Sequence, residues 1–249
     1  MEGSRILRNS QIIILGICIA VATIVASMIL SQGFLKVMKF SQQVIQVTGS
    51  AQKQIKSDYI VWDASFSRRE ADLQSAYKKV QSDLERVKKY LESKQVSSNE
   101  IIVSQISTTT IYKKNKEGKD TNDIEGYELS QSIEIRSNEV EKIDTISRES
   151  TELINEGMIF TSAAPSFFYT KLDELKIEML AKATENAKVR AESMVKASGN
   201  KIGFMRSAKM GVFQITPITS TDVSDYGYND TSAYDKKVMA VVNASFAIE

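Results

Sequence analysis

Histidine is absent from the 249 residues, and cysteine occurs once, as Cys18 inside an apolar run. These two scarcities exclude much of enzymology. A disulfide needs a second cysteine. A Cys/His zinc site, a Cys–His nucleophile and a Ser–His–Asp triad each need a residue the chain does not have. No Gly-x-Ser-x-Gly elbow is present either. An excess of one charge is also missing. The chain carries 32 Lys and Arg against 31 Asp and Glu, and without Arg5, Arg8 and Glu2, ahead of the apolar run, thirty of each remain. The signs are interspersed, so there is neither the basic stripe that nucleic acid requires nor a polybasic lipid patch. What composition leaves is carboxylate, lysine or tyrosine chemistry, or none.

Charge itself is lacking between Ile12 and Leu30, IIILGICIAVATIVASMIL. Nineteen helical residues span about 28 Å, close to the hydrocarbon thickness of a bilayer. A secretory h-region is usually shorter and ends at a small-x-small site. Here Ala20-Val-Ala22 lies mid-run and no clean site follows. The expectation is an uncleaved membrane anchor. Arg5 and Arg8 before it, and Lys36 and Lys39 after it, leave orientation undecided by charge. A short tail before and a large domain after fit N-inside, C-outside.

Beyond the anchor, residues 35–42 read as a polar linker. Val44–Ser50 and Asp58–Phe66 alternate as strands, and their short polar connection suggests a hairpin. Ser67 and Glu70 have capping-box spacing ahead of an amphipathic helix striped by Leu73, Ala76, Tyr77, Val80, Leu84, Val87 and Leu91. Ile101–Ile111 reads as a strand. Tyr127–Arg136 alternates cleanly as a half-buried strand. Asn138 and Glu141 open a second helix striped by Val140, Ile143, Ile146, Leu153 and Ile154, which Gly157 closes. Met158–Tyr169 is a strand with Pro165 at an edge or bulge. Thr170 and Asp173 start a third helix that runs to Ser198. Two strands follow, near Ile202–Thr216 and Lys237–Ile248, around a long aperiodic loop. The order β-β-α-β-β-α-β-α-β-β is an α+β fold. Its portion from Asp58 to Tyr169 has the β-α-β-β-α-β pattern of ferredoxin-like folds. The expectation is one antiparallel-rich sheet with helices on one face, extended by the first strand, the third helix and the C-terminal hairpin.

The third helix holds an oddity. Its inner stripe, Leu172, Leu175, Met179, Ala183, Ala187, Ala191 and Met194, is alanine at three successive four-residue steps. Small residues let a helix axis come close to its neighbour. One reading places these alanines where the helix crosses the sheet. The other packs part of the helix against a second copy, with Ala183, Ala187, Ala191 and Met194 as contact candidates.

GMIFTSAAPSFFYTKLDELKIEMLAKATENAKVRAESMVKASGNKIG, with Gly157, Phe168, Asp173, Lys188, Glu192, Gly199 and Gly203, resembles the signature region of the SIMPL domain family (DUF541, YggE-like). VTGSA (Val47–Ala51), SSNEIIVSQISTTTIY and EGYELSQSIEI, with Gly126 and Tyr127, are similar to its opening strand and its middle. Gln95-Val96 departs from the family's Gly-Ile pair after the first helix, and Met194 and Lys196 interrupt the alanine-rich helix end. The resemblance implies a bacterial, extracytoplasmic or membrane-anchored protein of poorly defined biochemistry, some relatives being thought to form ring-like oligomers. It supplies no catalytic residues.

Other chemistry is weakly supported. Asp222, Asp225, Asp230 and Asp235 lie in a Tyr-rich loop without EF-hand spacing. Glu134 and Glu139 fall on a wet strand face and a helix start. Asp63 alternates with Trp62 and points to solvent or a salt bridge, whereas Trp62 belongs to the core. Asn229-Asp-Thr and Asn243-Ala-Ser match the glycosylation sequon, which carries little meaning in a bacterial chain. The organisation expected is a cytoplasmic tail (1–11), an anchor (12–34), a linker (35–42) and a SIMPL-like domain (43–249). The function expected is a non-enzymatic, self-assembling protein of the bacterial envelope, in the cytoplasmic membrane with its domain outside. It has no cofactor, metal or nucleic-acid partner, and it contacts copies of itself or other envelope proteins. The alternative is a ligand-binding or sensory module in envelope or oxidative stress, using a pocket between sheet and helices.

Overall fold

The apolar run lies within one long helix of the computed structural model, which describes the backbone of residues 3–249 and the side chains of residues 14–38 and 43–249. This helix, α1 (Gly3–Gln42), is 40 residues and therefore about 60 Å long. Ile14–Met38 is long and apolar enough to cross a membrane, and none of it is buried. Residues 35–42, expected as a linker, continue the helix. Met1, Glu2 and the side chains of Arg5 and Arg8 in the expected tail lie outside the described residues.

After α1 the elements run β1 (Val44–Lys56), β2 (Tyr59–Glu70), α2 (Leu73–Ser93), β3 (Ile101–Val103), β4 (Ser107–Lys114), β5 (Asp120–Ser137), α3 (Val140–Glu149), β6 (Ile159–Ser162), β7 (Ser166–Phe168), α4 (Leu172–Lys196), β8 (Ile202–Met210), β9 (Gln214–Pro217), β10 (Tyr228–Asn229) and β11 (Asp235–Ile248). The fold is α+β. The strands form two sheets rather than the single extended sheet expected: β1-β11-β9-β10 with β8 also on β11, and β3-β5-β2-β6 with β4 on β5 and β7 on β2. The hairpin expected of β1 and β2 is therefore corrected. Only Ser57 and Asp58 separate them, yet they join different sheets. Alternation identifies a strand but not its neighbour.

Contacts divide the chain into two compact units. The first comprises residues 1–50, 181–211 and 241–249; the second comprises residues 51–180 and 212–240. The second unit contains the larger core. β2 pairs with β5 over an unbroken run from Ile60↔Ser137 to Glu70↔Tyr127. Its inward face supplies Ile60, Trp62, Ala64 and Phe66, opposite Ile133 and Ile135, covered by α2 and α3. Trp62 is buried and its Nε1–H donates to Ser162 Oγ at 3.0 Å. The strand expected over Met158–Tyr169 breaks at Ala163–Pro165 into β6 and β7, with Pro165 in the break.

Two helix starts differ from the capping pattern. Ser67 and Glu70 are inside β2, paired with Ser130 and Tyr127. The long ladder extends through the local box, and α2 is capped instead by Asp72, whose carboxylate accepts from Ser75 N at 2.8 Å. Likewise Thr170 N and Oγ1 donate to the Asp58 carboxylate at 2.7 and 2.9 Å, and α4 begins at Leu172. Of the helix stripes, Leu73, Tyr77 and Ile154 are exposed. For Ile154 the reason is that α3 tightens into a 3₁₀ segment at Ser150–Glu156, which rotates it off the inner face before Gly157 closes at φ 79°.

Candidate assembly surface

The alanine question is answered by α4, whose residues from 181 onward belong to the first unit. On α4, Leu175, Met179, Ala183, Ala187, Ala191 and Val195 are all buried, a single row at four-residue steps. Such a row is one i±4 ridge, and it winds about 40° around the helix per step. The sequence offers Met194 or Val195 after Ala191. The ridge continues to Val195 and leaves Met194 58 % exposed, which corrects its place in the inner stripe.

Facing the ridge is Gly49 of β1. A Cβ at Gly49 would stand 2.2 Å from Ala183 O, 2.4 Å from Ala187 N and 2.7 Å from Ala187 Cβ. The strand thus rests on helix backbone, and both partners are small because nothing larger fits. Ala183, Ala187 and Ala191 spend their surface within this chain and have none left for a second copy.

Two further α4 side chains close the outer edge of β1. Asn186 Oδ1 accepts from Ser50 N at 3.1 Å, and Arg190 Nη1 donates to Thr48 O at 2.9 Å. The helix side chains stand where a neighbouring strand would, a device that protects an exposed edge. Neither residue is distinguishable in the sequence, since both sit on the polar side of an amphipathic pattern.

The opposite edge has no such cover. β8 pairs antiparallel with β11, from Val242↔Met210 to Ser245↔Ser207 without interruption and then irregularly to Ile248↔Ile202. Gly211 N donates to Val241 O at 2.8 Å. In an antiparallel ladder this fixes the odd-numbered residues 207 and 209 as those bonded to β11 and turns the peptide groups of Ala208 and Met210 outward. No strand pairs that outer side among the described residues. Phe204 is 78 % exposed, and Met205 and Met210 are also exposed. An unpaired edge that exposes apolar side chains is a template for another strand.

The carboxylates singled out as alternatives are engaged otherwise. Glu134 accepts from Arg136 Nε, and Glu139 accepts from Lys142 Nζ at 2.7 Å. Asp63 lies directly across from Glu134. Partial burial first, and then the Glu134 charge, push its carboxyl above the usual range, with Arg136 opposing. In the Tyr-rich loop, Asp230 accepts from Ser232 Oγ at 2.7 Å and Ala233 N at 2.9 Å. Beside it Lys236, fully buried, donates to the carbonyls of Phe167 at 2.6 Å and Asp230 at 2.5 Å. Burial lowers the Lys236 ammonium against the pull of Asp230. Nothing local in the sequence marks Lys236 for burial.

Burial works against the Asp230 anion, but its hydrogen bonds and Lys236 outweigh this and hold its carboxyl below the ordinary value of 3.8. A depressed carboxylate contributes stability that is present above the unfolded pKa and lost as pH falls through the folded one. Urea unfolding between about pH 5 and pH 2 should therefore show stability falling with acidification, and D230N should be less stable at neutral pH with a shallower acid slope.

The family model for SIMPL, described as a protein of unknown function (DUF541), matches residues 45–246, and the chain belongs to this family. A search of curated proteins finds no match to it.

Proposed function

We propose that this SIMPL-domain protein is a membrane-anchored, non-enzymatic assembly protein of the bacterial cell envelope, held in the cytoplasmic membrane by α1 with its folded units outside. The observation that carries the assembly reading is the asymmetry of edges in the first unit. The outer edge of β1 is closed by Asn186 and Arg190, whereas Ala208 and Met210 of β8 present unpaired peptide groups beside exposed apolar side chains. The open β8 edge can pair with the same edge of a second copy, an isologous contact, or with a different surface of its neighbour, a heterologous contact, and heterologous contacts that close generate rings. Anchoring confines copies to one surface and raises their effective concentration, so modest contacts suffice. Exposed Val189 and Met194 on α4 offer additional apolar area.

The ferredoxin-like reading of the second unit belongs to the same proposal. Supporting it is the strand order β4-β5-β2-β6, all antiparallel, with α2 and α3 as the intervening helices. The ligand-binding or sensory reading has one observation in its favour. An apolar groove of about 650 Å³ lies between α2 and the sheet, lined by Leu73, Tyr77, Ile106 and Leu129 with Lys78 at its rim.

Ala208→Pro tests the assembly reading. Proline removes the outward N–H at that position while the bonds of residues 207 and 209 to β11 remain. Sedimentation of the full chain in detergent should show the variant shifted to smaller mass with an unchanged circular dichroism spectrum. A mass equal to that of the parent chain would remove β8 from the interface.

A further inference from the structure

One face of the β1-β11-β8 sheet carries a grid of polar side chains. Asn243 of β11 is directly opposite Lys209 of β8, and Ser245 is directly opposite Ser207. On the other side Thr48 Oγ1 donates to Asn243 Oδ1 at 2.7 Å, which places Thr48 beside Asn243. Gln46, two residues before Thr48, shares its face. The six side chains form two rows across three strands, about 10 Å wide and about 7 Å deep at ordinary strand spacing and rise. They line a trough of about 430 Å³.

The charge lining this trough is of one sign. It holds one ammonium, two carboxamides and three hydroxyls, and no carboxylate lines it. Lys209 has no ion pair among the described residues. The Thr48 hydroxyl occupies the carbonyl oxygen of Asn243, so the two N–H donors of that amide are left for another acceptor. Ser207 and Ser245 hydrogen-bond to each other at 2.6 Å, which uses one hydroxyl proton and leaves the second. Donors without acceptors converge beside an unneutralised cation, and an oxyanion is the complementary group. The amide of Gln46 and the hydroxyls of Ser245 and Ser207 along the second row match a chain of hydroxyls. No aromatic side chain lines the trough, so stacking on a neutral sugar ring has no platform.

We propose that this trough binds an oxyanion carried on a hydroxylated chain, such as the carboxylate of an acidic saccharide or the phosphate of a polyol phosphate. The anion sits between Lys209 and Asn243, and the hydroxyls lie along Gln46, Ser245 and Ser207. The Asn243-Ala-Ser245 sequence then serves as a pair of side chains on one strand face rather than as a modification sequon.

The full chain in phosphatidylcholine nanodiscs would be titrated calorimetrically with oligogalacturonate, with its methyl-esterified form, and with glycerol phosphate. Binding of oligogalacturonate alone assigns the carboxylate source, binding of glycerol phosphate alone assigns the phosphate source, and binding of both supports the shared chemistry. In each case the ester should not bind. Lys209→Met and Asn243→Ala should each weaken binding about tenfold or more, the loss expected for one charge-assisted or multiple hydrogen bond. Lys209 and Asn243 are exposed, so unchanged melting temperatures would show that both variants fold. Absence of heat with either anion up to millimolar concentration would overturn the proposal. So would affinity unaltered in both variants.

Discussion

Gly49→Val should lower stability by at least ~3 kcal/mol, because both the β carbon and its branches would enter space held by the Ala183 carbonyl and the Ala187 amide. For a domain of this size the expected fall in melting temperature is ~6–12 °C. Gly49→Ala should cost ~1–3 kcal/mol, the usual range for forcing one methylene into a filled site. The obstruction is mainly backbone, at 2.2 and 2.4 Å, and only secondarily the Ala187 methyl at 2.7 Å. Ala187→Gly should therefore fail to rescue Gly49→Val. Urea unfolding followed by circular dichroism measures all three. Full rescue by Ala187→Gly would mean that the strand and the helix meet through side chains alone.

The second large effect concerns Arg68 and Asp83. Asp83 on α2 has 2 % of its side chain exposed, and Arg68 on β2 has 20 %. Arg68 Nε donates to Asp83, Nη2 donates to the other carboxylate oxygen at 2.8 Å, and Nη1 donates to the Gly157 carbonyl at 2.8 Å. The carboxylate raises the Arg68 pKa by hydrogen bonding and charge, against burial. Removing one partner of a buried pair costs ~3–5 kcal/mol, because the survivor remains charged and desolvated. Arg68→Ala should approach that range, since Asp83 is shut off from water and keeps only the longer ion pair to Arg86 Nη1 at 3.8 Å. Asp83→Ala should cost less, because the guanidinium keeps Gly157 O and partial access to solvent. Arg68→Met with Asp83→Leu should recover most of the loss. Equal effects of the two alanine variants in urea unfolding would show that exposure does not govern the asymmetry.

These sites illustrate how far the sequence can be read. The apolar span, the alternation of β2 and β5 and, apart from Leu73, Tyr77 and Ile154, the inner stripes of α2 and α3 are periodic and local, and the structure follows them. The alanine row on α4 was visible as a close approach, but its partner Gly49 lies more than a hundred residues away on a strand whose alternation does not say which helix covers it. Ser67 and Glu70 carried a valid local capping signal. It lost to a ladder whose other half, residues 127–130, is distant in the chain. The β1–β2 hairpin failed for the same reason: strand pairing is non-local. Nothing in the sequence marks Asp83 or Lys236 for burial, because burial of a charge depends on partners that the sequence brings together only through the fold. For the assembly surface, the exposed strand β8 was expected as a strand, but its unpaired edge followed only from knowing which strand takes its other side.

The proposed association of anchored copies runs through the open edge of β8. Sedimentation of the intact chain in detergent, across a dilution series, tests it most directly. A discrete multiple of the one-chain mass is expected at high concentration, dissociating on dilution. A mass of one chain at every concentration would contradict it.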